Sequence, residues 1–188
     1  AYTPRNLIVQ LVGENTAGQR QYEVIPSGIH LELNRPYFVA VAVDVDDTSP
    51  GGVRFYVDDL SVANEPLETA AVGHQVVGNY RGAYDLTIGG RHGADRHHWD
   101  GLIDEVRISR GALAEDRLLV GGASPDDGAV VGHWRFESSP GMLDDSSGSG
   151  LRLAVADSEQ AAPLDPKTAA LVDFCHVLLN TSEFLYVD

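Results

Sequence analysis

The chain has 188 residues, 43% of them hydrophobic, and a formal net charge of −15. This length allows one substantial domain with appendages, and the hydrophobic share argues against wholesale disorder. The negative charge argues against nucleic acid as a partner, because phosphate binding needs clustered Lys and Arg side chains. No apolar run approaches the ~18 residues of a membrane-spanning helix, so no membrane span is expected.

Short apolar runs separated by turn residues follow one another through residue 108. The strands predicted in chain order are residues 7–12, 21–25, 29–33, 37–45, 53–58, 84–88 and 102–108. Turn-forming residues lie between them, as in the Asp-, Ser-, Pro- and Gly-rich stretch 46–52, and no long helices alternate with the strands. This pattern predicts an antiparallel sandwich or barrel rather than an alternating β-α fold.

The rest of the chain changes character twice. Residues 130–137 return to a strand pattern, whereas Asp165 and Pro166 supply an N-cap and a first-turn proline for an amphipathic helix. The expected organisation is a sandwich over residues 1–120, a linker over 121–129, an additional strand and loop over 130–160, and a helical segment over 161–188. We expect that helical segment to dock on another part of the protein or on another chain.

Four motifs in a fixed order resemble the laminin-G-like domains of the concanavalin A-like lectin and glucanase group. The motifs are Tyr37–Val43, Val53–Asp58, Leu86–Gly90 and Trp99–Leu113, within residues 5–120. The resemblance implies an all-β, antiparallel jelly-roll β-sandwich, here followed by a C-terminal α-helix. It also implies a binding or interaction module, with a glycan as the expected small ligand.

A second resemblance concerns the setting of the chain. Residues 4–12, 130–137 and 170–188 resemble parts of large secreted planctomycete proteins that combine a cytochrome-c-like region, domains of unknown function and a laminin-G-like insert. It implies a secreted or periplasmic location, with other domains or chains of a parent protein as partners. Two explanations fit the late position of residues 130–155, and we favour both together: they supply a strand beside the closing strand, and the chain is the C-terminal portion of a longer protein.

Some proteins with the fold that the resemblance implies are β-glucan hydrolases, so the sequence must be examined for catalytic residues. Glycoside cleavage usually needs two carboxyl groups about 5–10 Å apart that face one site. In the predicted strand 102–108, Asp104 and Glu105 point to opposite faces, because side chains alternate along a strand. We therefore predict no catalytic residue. A purely structural packing module without a ligand and a glycan hydrolase remain the two alternatives.

Aromatic and hydrogen-bonding residues gather just before the closing strand. An aromatic face stacks on a sugar, while Arg and His side chains supply hydrogen bonds. The predicted ligand-binding residues are Tyr80, Tyr84, Arg91, His97 and Trp99. The alternative for Trp99 is that it anchors the closing strand in the core, since Trp is largely buried on average.

Three aspartates crowd the loop after the central strand. Asp44, Asp46 and Asp47 could supply the oxygen ligands that calcium prefers, and the resemblance implies calcium at one rim of the sandwich. The spacing does not match an EF-hand loop, because Ser49 stands where that loop has Gly. The alternative is a polar hairpin turn, for which Asp is a common residue. A second candidate set for calcium consists of Asp144, Asp145 and Ser146.

Overall fold

The computed structural model describes residues 5–77, 86–90, 99–121, 128–137 and 141–155. The strands are β1 (Asn6–Glu14), β2 (Arg20–His30), β3 (Tyr37–Val43), β4 (Val53–Asp59), β5 (Glu68–Val72), β6 (Val106–Ser109) and β7 (Val130–Trp134), and short 3-10 turns span Glu115–Arg117 and Leu119–Gly121. They form the sheets β1-β2, β3-β4-β5 and β6-β7, and every pairing is antiparallel. The predicted all-β class is confirmed, and the predicted C-terminal helix lies outside the described residues.

The pairing of β3 with β4 forms the centre of the fold. Its register sets Val41 opposite Phe55 and Ala40 opposite Tyr56, so odd-numbered side chains share one face and even-numbered side chains the other. Phe55 and Phe38 lie on opposite faces, and both are fully buried. The central sheet is therefore covered on both sides, which explains why its strands carry near-continuous apolar runs.

A different element covers each face. The β1-β2 ribbon packs on the odd-numbered face, in a core made by Leu7, Ile25, Ile29, Leu31, Val39, Val53, Phe55 and Val57. On the even-numbered face, Leu118 packs against Phe38 and Tyr56, with Leu119 and Val120 beside it. The segment after β6 therefore closes the second side of the sheet.

Strand β2 is longer than the sequence predicts. The predicted strands 21–25 and 29–33 are instead one strand that ends at His30, so the prediction of two strands is wrong. The turn residue Gly28 lies inside β2 at φ +80°, and its N–H donates to Asn6 Oδ1 at 3.1 Å. Because this irregularity absorbs extra residues opposite β1, the chain keeps its direction.

Strands β6 and β7 form a separate pair in which Val106 stands opposite Trp134 and Arg107 opposite His133. Trp134 is 1% exposed, and its indole N–H donates to the Leu151 carbonyl at 2.8 Å. Strand β6 is shorter than the predicted strand 102–108, and it begins only at Val106.

The structure differs from the predicted strands at two further places, where the side-chain pattern does not indicate the backbone conformation. Residues 86–88 lie outside any strand, although the sequence predicts one over 84–88. Strand β5 is not predicted, because Glu68, Ala70 and Ala71 have weak strand propensity. Its strand conformation comes from its pairing with β4.

Replacing Phe55 with Ala should lower the free energy of unfolding by about 3–5 kcal/mol, because it leaves a cavity in a closed core. Urea denaturation measures the change. The matched control is Thr69→Ala on exposed strand β5, which should stay within about 0.5 kcal/mol of the wild type. Equal effects of the two substitutions would contradict the assignment of Phe55 to the core.

Candidate functional site

The Asp-rich turn between β3 and β4 uses its carboxylates to organise its own backbone. Asp44 Oδ1 accepts the N–H of Asp46 at 3.1 Å, and Asp47 Oδ1 accepts the N–H of Ser49 at 3.0 Å. Hydrogen bonds from Ser49 hold the pKa of Asp47 below its ordinary value. These contacts are the ones that a polar hairpin turn requires.

Beneath this turn lies a buried histidine that sequence reasoning did not single out. His74 is 3% exposed, and its Nε2 lies 2.8 Å from the Asp44 carbonyl oxygen. The turn packs closely on its neighbours at two glycines. A Cβ at Gly52 would stand 1.7 Å from the Asp47 carbonyl oxygen, and a Cβ at Gly73 would stand 2.7 Å from the Thr48 carbonyl oxygen. His74 therefore ties the turn to the segment after β5. An isolated His in sequence carries no signal of such packing.

Calcium at this turn stays a prediction. Calcium takes 6–8 oxygen ligands, whereas Asp44 and Asp47 already accept backbone hydrogen bonds. Over the described ranges, no group of three or more His, Cys, Asp or Glu side chains is placed to hold a metal ion. The three aspartates therefore do not form a complete cage in this structure, and a thermal unfolding titration with calcium would test them.

The second predicted calcium set organises the loop after β7. Asp145 Oδ1 accepts the N–H groups of His133 and Ser147, both at 2.9 Å, while Oδ2 accepts the Ser147 hydroxyl at 2.9 Å and the Leu151 N–H at 3.2 Å. Burial by itself would raise the pKa of Asp145, but these hydrogen bonds outweigh it and hold the pKa well below its ordinary value.

The neighbours of Asp145 also have protein partners. The Ser146 hydroxyl donates to the His133 carbonyl at 2.9 Å, and Asp144 pairs with Arg152 at 3.1 Å. Asp145 and Ser146 therefore hold residues 141–153 against β7, and Asp144 joins two parts of that segment. Calcium at this second set likewise stays a prediction.

Glu105 has one partner on β7 and a second just after that strand. Its carboxylate is hydrogen-bonded to His133 Nε2, and Arg135 Nε lies 4.0 Å away. The alternation argument for Asp104 and Glu105 does not apply as stated, because both residues precede the start of β6. The contacts of Glu105 nevertheless give it a cross-strand role: it links the start of β6 to β7.

Of the predicted ligand-binding residues, the structure describes Trp99, while Tyr80, Tyr84, Arg91 and His97 lie outside the described residues. The backbone N–H of Trp99 donates to the Gly89 carbonyl at 2.8 Å, and its indole N–H donates to the Leu102 carbonyl at 3.3 Å. The half-buried ring lies over Gly101, where a Cβ would stand 2.8 Å from Nε1. These contacts fix Trp99 in the turn before β6, and its role in ligand binding stays a prediction.

An open cleft of about 210 Å³ lies at the end of the central sheet opposite the Asp-rich turn. Strands β2, β3, β4 and β5 all contribute to it. Ile29, Leu31 and Val57 lie beneath the cleft and are almost fully buried, so the surface that the cleft exposes is mostly polar. The polar residues around them are His30, Glu32, Arg35, Tyr37, Asp59, Glu65 and Glu68. Convergent polar groups in a cleft can hydrogen-bond a polar ligand.

The guanidinium of Arg35 is held in place at the rim of this cleft. It donates to Asp59 Oδ2 at 2.9 Å and lies 3.0 Å from Glu32 Oε2, and these two acids raise the pKa of Arg35. Hydrogen bonds from Ser61, together with Arg35, hold the pKa of Asp59 below its ordinary value. The Tyr37 hydroxyl accepts the N–H of Glu32 at 3.2 Å. The rim is therefore ordered by contacts within the protein.

The cleft was missed in the sequence because its residues are far apart along the chain. Arg35 and Asp59 are 24 positions apart, and each alone is an ordinary turn or strand-end residue. They meet because the β3-β4 register sets Tyr37 opposite Asp59. The predicted pairing of these two strands could have indicated the contact, because Arg35 lies two residues before Tyr37 and therefore near Asp59.

Residues 5–118 match the model of the concanavalin A-like lectin/glucanases superfamily, in its laminin-G-type form. The chain therefore belongs to this superfamily, as its motifs predict. Comparisons with curated proteins and with solved structures give no match. In the described part of the chain, no helix has the length and apolar character needed to cross a membrane.

We predict that Asp145→Asn lowers the free energy of unfolding by about 1–3 kcal/mol at pH 7, because it weakens charge-assisted hydrogen bonds. The native pKa of Asp145 lies below its unfolded value. Its stabilisation is therefore present above the unfolded pKa and is lost as the pH falls through the native pKa. Urea denaturation should show the gap between wild type and variant at full size near neutral pH and shrinking below about pH 4.

Asp144→Asn is the matched control, because Asp144 is exposed and has one ion pair with Arg152. Its effect should stay below about 1 kcal/mol. A gap for Asp145→Asn that does not change with pH, or that equals the gap for Asp144→Asn, would show that Asp145 does not anchor the loop through its charge.

Proposed function

We propose that this chain is a non-catalytic carbohydrate-binding module whose ligand sits in the cleft beside Arg35. One observation carries the proposal: Arg35 is held between Glu32 and Asp59 at the rim of a mostly polar cleft, in a chain of the lectin and glucanase superfamily. Sugars carry many hydroxyl groups, so they suit a cleft whose exposed groups mostly form hydrogen bonds. Preorganised donors also lower the ordering cost of binding.

Binding fits the cleft better than hydrolysis does. A glycosidase needs one carboxylic acid with a raised pKa to protonate the leaving group. The pKa of Asp59 is instead lowered, and its carboxylate holds Ser61 and Arg35. Glu105, the acid just before β6, is hydrogen-bonded to His133. The charges of these groups therefore support structural and binding roles.

We also propose that the module is part of a larger protein. The resemblance of residues 130–137 and 170–188 to parts of large secreted planctomycete proteins supports an extracytoplasmic parent protein, with its other domains or chains as partners. Comparing an intact-mass measurement of the native protein with the full gene tests this: residues preceding Ala1 in the native protein support the parent protein, and a native start at Ala1 opposes it.

A glycan array on the whole chain, followed by calorimetric titration of the strongest hit, tests carbohydrate binding. Arg35→Ala should weaken that hit by about tenfold, equivalent to ~1.4 kcal/mol. Arg54→Ala is the matched control, because Arg54 is an exposed arginine near the Asp-rich turn at the opposite end of the same sheet. It should leave the affinity unchanged.

Two results would revise the proposal. If no glycan binds, the structural-packing alternative replaces it. If a glycan binds equally to the wild type and Arg35→Ala but is lost in Arg91→Ala, the ligand belongs to the predicted rim of Tyr80, Tyr84, Arg91, His97 and Trp99. The module would then keep its function at a different place.

A further inference from the structure

The outward face of the β1-β2 ribbon is apolar and partly exposed. Odd-numbered residues of both strands pack on the central sheet, so the even-numbered residues face away from it. At these outward positions Val12 stands opposite Tyr22, and the two residues are 37% and 51% exposed. Val24 and Pro26 continue the same face and are half-buried. A sheet face in contact with water normally carries polar residues, so this apolar face indicates a further cover.

Strand β1 has the same kind of sequence as β3, which is covered on both faces. The run Leu7–Val12 is apolar at every position except Gln10, and β3 is apolar throughout. The ribbon covers one face of the central sheet, and the segment around Leu118 covers the other. The core beneath the ribbon accounts for only one face of β1. The near-continuous apolar run of β1 therefore indicates a second cover, on the side of Val12 and Tyr22.

The sequence beyond residue 155 contains an apolar stripe that needs such a surface. This stripe lies outside the described residues and is a feature of the sequence pattern. Its residues recur at the spacing of one helix face: Leu171, Phe174, Cys175, Leu178 and Leu179. A connection of ~10 residues, as in 156–165, spans up to about 35 Å, which is comparable with the diameter of a small domain.

Two considerations favour this segment over a second copy of the chain as the cover. The segment is tethered to the ribbon, so its effective concentration there is high. A second copy would bring another formal net charge of −15, which opposes association.

We propose that segment 166–180 docks its apolar stripe on the outward face of the β1-β2 ribbon, around Val12 and Tyr22. The ribbon is then covered on both faces, as the β3-β4 pair is. The Tyr22 ring contributes a large apolar surface to the contact and leaves its hydroxyl at the edge. This surface is distinct from the cleft beside Arg35, so the inference stands whether or not the cleft binds a sugar.

Cys175 is the single cysteine of the chain, so disulfide trapping tests the docking directly. In the whole chain, Val12→Cys, Tyr22→Cys and Val24→Cys each place a second thiol on the ribbon face. Diamide oxidises two thiols to a disulfide and is itself reduced to a hydrazine. A disulfide needs Cβ atoms about 3.5–4.5 Å apart, so at least one of the three variants should form an intramolecular disulfide in most molecules. Non-reducing peptide mass mapping measures the yield. Thr69→Cys, at an exposed position on β5, is the matched control and should form little disulfide.

A pair of charge-matched substitutions shows whether the apolar stripe makes the contact. In the ribbon variant with the highest yield, Leu178→Asp should slow disulfide formation by about tenfold, because it places a charge in the apolar contact. Asn180→Asp adds the same charge on the opposite side of the helical pattern. It should change the rate by less than about twofold.

Several results would overturn the proposal. Disulfides that join two chains would show that a second copy covers the ribbon. No disulfide at any ribbon position, equal trapping at Thr69→Cys, or equal effects of Leu178→Asp and Asn180→Asp would show that this segment does not dock there. None of these variants changes the cleft beside Arg35, so the outcome is independent of the sugar titrations.

Discussion

The antiparallel register between β3 and β4 is the constraint on which the rest of the structure depends. It places two sets of apolar side chains back to back, and each set needs a cover. The β1-β2 ribbon covers one set, and the segment around Leu118 covers the other. Without this pairing, neither cover would have a surface to pack on, since Phe38 and Phe55 supply the largest buried side chains of the sheet.

The same two strands also define both ends of the sandwich. At one end they join in the Asp-rich turn, which packs closely around Gly52 and His74 and whose carboxylates accept hydrogen bonds from its own backbone. At the other end the pairing continues to Tyr37 and Asp59, and Arg35 donates to Asp59 at the rim of the cleft. A closed end and an open end follow from one hairpin. The contrast explains why the aspartates conspicuous in the sequence are occupied by the turn, whereas the less conspicuous acids line a cleft.

Local pattern predicts the elements that bury their own side chains. The apolar runs of β3 and β4 are found where the sequence places them, because their core packing and their alternation agree. Strand β5 is not predicted because its pairing with β4, and not its composition, makes it a strand. Strand β2 is predicted as two strands because Gly28 stands between them, although a glycine at positive φ can lie inside a strand as well as in a turn. The cleft depends on contacts between residues remote in sequence, which no local pattern encodes.

The position of β7 has a practical consequence for how the domain is delimited. The family match ends at residue 118, but the sheet that contains β6 is completed by residues 130–134. A protein cut at the end of the match would lose Trp134 and its Leu151 partner, and one edge of β6 would be left without its hydrogen-bonded neighbour. Exposed strand edges recruit other chains, so such a fragment would tend to self-associate. The β-structure of this chain therefore extends past the family match, through the loop anchored by Asp145.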